Sequence, residues 1–161
     1  MRLAVIAVGR MRGDPAAAVF ERYRKRLRAP LALTEVEVAA GPARARREGE
    51  RLLAAVPAGA AVAVLDEGGE MLSSEGFARR LGSWRDGGRR DCAFLIGGAD
   101  GHGENVMSRA DFRLSLGAMT WPHLLVRAML AEQLYRAETI LADHPYHRAG
   151  RKPAFRSGVC R

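Results

Sequence analysis

The stretch "SLGAMTWPHLLVRAMLAEQLYRAETI" (residues 115–140) decides the fold class of this chain. A short β-like run at residues 112–116 stops at Gly117, and a long apolar helix is predicted over residues 122–142. Thr120 and Pro122 are residue types that favour a helix start. The stretch therefore predicts a strand that turns directly into a helix, with Trp121 and His123 at the turn.

This helix carries more apolar surface than one core contact needs. Most of one stripe with spacings of three and four is predicted to pack in the core: Val126, Leu130, Leu134, Ala137 and Leu141. Leu124, Leu125 and Met129 lie off that stripe, which indicates a second partner surface such as a dimer mate. Glu132 and Arg136 are four residues apart and can form an ion pair on the helix.

Strands and helices are predicted to alternate along the whole chain. Strands are predicted at residues 3–8, 33–38, 61–66, 92–98 and 112–116. Helices are predicted at residues 15–28, 43–56, 73–86 and 122–142. This alternation predicts a single α/β domain with a mostly parallel sheet.

Charge and composition narrow the class of partner. The chain has 161 residues and a formal net charge of +8, which favours a nucleic acid over a membrane as the partner. A general preference for arginine would explain the same charge without any such partner. The apolar run at the start is too short for a signal peptide or a membrane span, so a cytoplasmic location is expected.

Other binding motifs are weak or missing. The segment "IGGADGHG" (residues 96–103) follows a buried strand and is suited to close backbone contact with a ligand, but it is not a dinucleotide fingerprint. No P-loop pattern occurs. His144 and His147 have a spacing that zinc can use, but Pro145 lies between them and no cysteine is near, so no metal site is expected.

Three motifs in fixed order resemble one known family. "LIGGADG", "LSLGAMTWPHLLVRAMLAEQLYRA" and "HPYHR" resemble the RlmH family of ribosomal RNA large-subunit methyltransferases, in the SPOUT superfamily. The resemblance covers residues 1–148, and residues 149–161 are expected to be a basic, flexible extension. It implies an α/β fold with a C-terminal trefoil knot, a homodimer, and S-adenosyl-L-methionine as cofactor. The implied reaction is methylation of N3 of a pseudouridine in 23S ribosomal RNA of assembled 70S ribosomes.

The resemblance also implies which residues form the cofactor pocket. Small residues would let the main chain approach the adenosyl group, and apolar side chains would wall it. The implied cofactor-binding residues are Leu65, Gly97, Leu116, Gly117, Ala118, Met119, Thr120 and Trp121.

Three residues near the matched motifs are the catalytic candidates. Arg136 is expected to stabilise charge and orient the substrate, and Tyr146 to stack on or position a flipped base. His123 is either a general base or a helix-start packing residue. The site is expected to combine cofactor residues of one chain with C-terminal residues of the other.

Two alternatives stay open. In the first, the chain is a SPOUT methyltransferase that acts on another RNA nucleotide. In the second, it is a ribosome- or RNA-binding protein without catalysis. His102 and Glu70 depart from the family pattern, since an apolar residue and a lysine are expected at these positions.

Overall fold

The computed structural model describes residues 1–144 and residue 146. Strands and helices alternate as the sequence predicts, with one additional short helix. In chain order the elements are β1 (Arg2–Val8), α1 (Pro15–Arg24), β2 (Leu31–Val36), α2 (Arg44–Ala54), β3 (Ala61–Met71), α3 (Ser74–Asp86), β4 (Asp91–Ile96), α4 (Glu104–Arg109), β5 (Phe112–Ser115) and α5 (His123–Leu141).

The five strands form one sheet in the order β2-β1-β4-β3-β5. All of the strand pairs are parallel, which confirms the predicted α/β class. Every residue of β4 is buried, as expected for a central strand covered by helices on both faces. Because the strands run in the same direction, the loops after all five strands meet at one edge of the sheet, where α/β proteins bind ligands.

Helices cover both faces of the sheet. On one face α5 packs against α1 and α3, and the core includes Phe20, Phe77 and Leu134. On the other face α2 packs against α4 over Ile6, Leu52 and other aliphatic residues. Leu130, Leu134 and Ala137 of the predicted stripe are buried and Val126 is partly buried, whereas Leu141 is 39% exposed, so most of the stripe lies in the core as predicted.

Several predicted boundaries differ from the structure. Helix α1 ends at Arg24, four residues earlier than predicted, where Arg24 Nε donates to the carbonyl oxygen of Leu31 at 2.9 Å and the chain turns back toward β2. Strand β2 accordingly begins at Leu31. Helix α4 has only six residues, too few to show a periodic apolar pattern, and it was not predicted.

Strand β3 extends five residues beyond its predicted end. Its pairing with β5 shifts register between Leu65 and Glu70, so the chain bulges immediately after Leu65. Acidic residues and glycines occupy this extension, which explains why the sequence pattern did not reveal it.

Two C-terminal features stay predictions. The resemblance implies a trefoil knot, and residues 147–161, with the extension at 149–161, lie outside the described residues. Within residues 1–144, no helix combines the length and the apolar character that crossing a membrane requires.

Candidate active site

A cavity of about 450 Å³ opens at the edge where the strands end. Its walls come from the ends of β3 and β4, the glycine-rich turn after β4, and the loop between β5 and α5. Seven of the eight predicted cofactor residues line it: Leu65, Gly97, Leu116, Gly117, Met119, Thr120 and Trp121. Ala118 is exposed in the same loop and does not line the cavity. The fold thus gathers residues that lie up to 56 positions apart in the chain.

Two glycines allow the backbone to take this shape. Gly117 has φ +125°, a conformation that other residues rarely adopt. Ser115 holds the turn on both sides, since its Oγ donates to the Gly117 carbonyl at 3.0 Å and accepts from the Gly117 N–H at 3.2 Å. At Gly97 a Cβ would lie 2.8 Å from the Gly101 carbonyl oxygen, so a side chain would push the glycine-rich turn out of place.

The loop before α5 is tied to β3 rather than capping the helix. Thr120 Oγ1 donates to Glu67 Oε2 at 3.1 Å, across the mouth of the cavity. The N-cap of α5 is Pro122, without a side-chain cap, so the expectation that Thr120 starts the helix was wrong. Trp121 and Met119 are 37% and 69% exposed, leaving apolar surface available at the cavity wall.

His102 supports the cavity from below. Its Nε2–H donates to the carbonyl oxygen of Leu65 at 3.1 Å, which joins the turn after β4 to the end of β3. Burial lowers the pKa of His102, so the neutral ring is favoured. In the sequence His102 stands out only as a departure from the family pattern, although its place in a glycine-rich turn is a usable signal of a role at the site.

His123 is the first residue of α5 and lines the same cavity. Its Nε2 lies 3.4 Å from where a Cβ on Gly9 would be, so it sits against the end of β1. Burial and the nearby Arg127 guanidinium lower the pKa of His123. The neutral imidazole that results can accept a proton at neutral pH.

Arg127 connects α5 to the end of β1 and is completely buried. Its Nη2 donates to the carbonyl oxygens of Val8 at 2.5 Å and Gly9 at 2.9 Å, and its Nη1 donates to Glu35 Oε1 at 2.9 Å. These bonds hold His123, four residues earlier, beside the β1 end. In the sequence Arg127 looks like an ordinary charge on the helix, so its burial was not predicted.

Arg136 and Tyr146 lie at the other end of α5. Arg136 pairs with Glu132 at 2.5 Å, as predicted, and its guanidinium lies 5.2 Å from the centre of the Tyr146 ring. Thirteen residues separate Arg136 from His123, a distance of about 20 Å along a helix. A single chain therefore does not bring Arg136 and Tyr146 to the cavity that holds His123.

Aromatic rings and arginines surround Tyr146. Arg26, in the turn after α1, lies 4.4 Å from the centre of the Tyr135 ring and 5.1 Å from that of Tyr146. Burial, a hydrogen bond with Tyr23 and the nearby Glu132 raise the pKa of Tyr146 to about 12. This shift favours the protonated phenol at neutral pH.

The cavity is suited to a nucleoside ligand. Its volume lies within the usual range of roughly 300–1,000 Å³ for small-molecule sites. Small residues bring backbone groups to its surface and Trp121 supplies an aromatic wall. Over residues 1–144 and 146, no group of three or more potential metal-ligating side chains comes together, and His147 lies outside the described residues.

Comparison with known proteins identifies the family. Residues 1–147 match the sequence profile of the family described as "Predicted SPOUT methyltransferase". Proteins named ribosomal RNA large subunit methyltransferase H are 60% identical in Rhodospirillum centenum, 56% in Paramagnetospirillum magneticum and 53% in Rhodospirillum rubrum. Each alignment covers 92% of this chain and 99–100% of the relative. The chain belongs to the SPOUT methyltransferase family, in the group of the ribosomal RNA large subunit methyltransferases H.

Proposed function

We propose that this protein transfers a methyl group from S-adenosyl-L-methionine to N3 of a pseudouridine in 23S ribosomal RNA. The proposed substrate is the assembled 70S ribosome, and the proposed location is the cytoplasm. The observation that carries the proposal is the cavity at the carboxyl edge, which collects seven of the eight residues expected to hold the cofactor. The printed names of the relatives support large-subunit ribosomal RNA as the substrate class.

Different residues of the cavity would contact different parts of the cofactor. Trp121 and Met119 would cover the flat faces of the adenosyl group, and Gly97 and Gly117 leave room for its edge to approach the backbone. The bond between Thr120 and Glu67 would keep the wall of the cavity closed. When bound, S-adenosyl-L-methionine supplies a methyl group on a sulfonium, so the chain's main task is alignment.

The reaction must also remove the proton that N3 of the pseudouridine carries. N3 of the pseudouridine would take the methyl group that the sulfonium supplies, and a side chain of the protein would accept the N3 proton. His123 is the proposed acceptor, because it lines the cavity and its lowered pKa favours the neutral ring.

We assign Arg136 and Tyr146 to the same reaction through a homodimer. Arg136 would stabilise negative charge on the carbonyl oxygens of the target base, and Tyr146 would stack on or position that base. Arg136 lies about 20 Å along α5 from His123, and Tyr146 lies beside Arg136, so both would serve the cavity of the partner chain.

Apolar surface on α1 and α5 supports the homodimer. Val19 of α1 is 45% exposed and Leu125 of α5 is 39% exposed, next to the partly buried Leu124. A second cavity of about 570 Å³ between these helices and α3 is lined by Val19, Leu125 and Met129. A continuous apolar patch of this kind is typical of a surface that another chain covers.

Mapping the modified nucleotides of ribosomal RNA tests the proposal. Ribosomes from a strain without the gene should lack one N3-methylpseudouridine in 23S RNA, and expression of the gene should restore it. Loss of a different methylated nucleotide would favour another RNA target. An unchanged RNA, together with no stabilisation of the protein by S-adenosylhomocysteine, would favour a binding protein without catalysis.

A further inference from the structure

Glu48 of α2 is a buried carboxylate with an unused oxygen. The residue is 2% exposed, and its Oε1 accepts a hydrogen bond from Arg44 Nε at 2.7 Å. Its Oε2 is buried and finds no hydrogen-bond partner among residues 1–144 and 146. Burial of a charged oxygen without a full set of partners is costly, so this oxygen requires an explanation beyond helix stability.

The free oxygen lies directly beneath the candidate active site. It is 2.9 Å from the place where a Cβ on Gly98 would be, and Gly98 lines the cavity. Only a glycine at this position lets the carboxylate come so close to the turn. A single backbone segment therefore separates the Glu48 charge from the cavity.

The charge of Glu48 reaches both sides of the cavity. Burial lowers the pKa of both His102 and His123, and the Glu48 carboxylate opposes this by raising both pKa values. The two histidines lie on different elements, the turn after β4 and the start of α5. Both histidines line the cavity, which agrees with the position of the Glu48 carboxylate behind Gly98.

Other charges at the cavity are partly compensated. Asp66 forms an ion pair with Arg113 at 2.5 Å, and Glu67 accepts a hydrogen bond from the hydroxyl of Thr120. Asp100 is exposed, so water screens its charge. Glu48 differs from these because it is buried, and a buried charge acts on its surroundings through a lower dielectric constant.

We propose that Glu48 makes the cavity selective for the positively charged methyl donor over its neutral product. This inference rests on the proposed function. The sulfonium of S-adenosyl-L-methionine carries a positive charge that disappears when the methyl group leaves, because S-adenosylhomocysteine is a neutral thioether at that atom. A fixed negative charge beneath Gly98 favours the donor alone, and the product is released once the charge is gone.

Ligand binding by Glu48→Gln tests the proposal, with Glu50→Gln as the matched control. Glu50 lies on the same helix and also pairs with an arginine four residues earlier, but it is exposed. Calorimetry would measure the Kd for S-adenosyl-L-methionine, for S-adenosylhomocysteine, and for sinefungin, in which a protonated amine replaces the sulfonium. Glu48→Gln should bind S-adenosyl-L-methionine and sinefungin, the two positively charged ligands, roughly five- to tenfold more weakly than the wild type. The affinity for the neutral product should stay within about twofold, and Glu50→Gln should match the wild type.

Two further variants protect the test against a folding defect. Glu48→Asp keeps the charge and should keep the preference for cations. Arg44→Lys keeps a positive charge beside the carboxylate and should also keep that preference. If Glu48→Gln does not fold, loss of the preference for cations in both Glu48→Asp and Arg44→Lys overturns the proposal.

The outcomes separate this inference from the proposed function. Equal weakening of all three ligands in Glu48→Gln would show a structural role only, and no change in any ligand would show no role. Either result overturns the inference while the cofactor assignment stands. Failure of the wild-type protein to bind any of the three ligands would overturn the cofactor assignment itself.

Discussion

Replacing Arg127 with methionine should destabilise the protein through one defined site. Arg127 is completely buried and gives three hydrogen bonds, to the carbonyl oxygens of Val8 and Gly9 and to the carboxylate of Glu35. Methionine fills a similar volume without donating any of them. The substitution therefore isolates the loss of charge and hydrogen bonds from the creation of a cavity.

The size of the effect follows from what the substitution leaves behind. Removing one partner of a buried ion pair costs about 3–5 kcal/mol. Glu35 is partly exposed, and its Oε1 still accepts a hydrogen bond from the Met11 N–H at 2.7 Å. We therefore expect a loss of stability at the lower end of that range, about 3 kcal/mol. For a chain of this size, that corresponds to a Tm lower by about 6–12 °C.

Urea denaturation at fixed protein concentration is the suitable assay, because a homodimer would make stability depend on concentration. Arg46→Met is the control, since the ion pair of Arg46 with Glu50 is exposed and worth about 0–1 kcal/mol. A loss below about 1 kcal/mol in Arg127→Met would refute the view that this residue joins α5 to the end of β1.

Four further changes address the active site and the dimer. The wild-type kcat/KM should fall on the acid side of its pH profile, below pH 6.5, because the pKa of His123 is lowered. This fall should disappear in His123→Asn. If the variant keeps it, the titrating group is a different residue. Gly97→Ala should weaken S-adenosylhomocysteine binding at least about tenfold, because the new Cβ meets the carbonyl of the turn after β4; calorimetry giving wild-type affinity would contradict this reading. Leu125→Asp should shift the protein toward the monomer in sedimentation and lower methyl transfer in parallel, whereas an unchanged mass would place the dimer interface elsewhere. Arg136→Ala should lower kcat by about a hundredfold or more and keep cofactor affinity, and equal loss of cofactor binding would remove the proposed role.

The strands were predictable because each forms a continuous or alternating apolar run. Strand β4 shows this most clearly, since all six of its residues are buried. Element ends were less predictable, because tertiary contacts set them. Helix α1 stops where Arg24 reaches the carbonyl oxygen of Leu31, a contact between different elements that no local pattern reveals.

The cofactor loop was predictable only through the family resemblance, and the structure then brought its residues to one cavity. Buried charged residues were not predictable at all. Glu48 and Arg127 resemble ordinary helix charges in the sequence, because their burial depends on neighbours more than 40 positions away. Helical spacing also did not predict the exposure of Leu141, which is 39% exposed although Thr139 is buried and Ile140 packs on the core in the same turn.

The most direct test of the central claim uses purified protein, labelled S-adenosyl-L-methionine and 70S ribosomes from a strain without the gene. The account predicts that the label enters 23S RNA at one pseudouridine, on N3, and that ribosomes from the parent strain accept none. Label at any other nucleotide, or no transfer by protein that binds the cofactor, would contradict it.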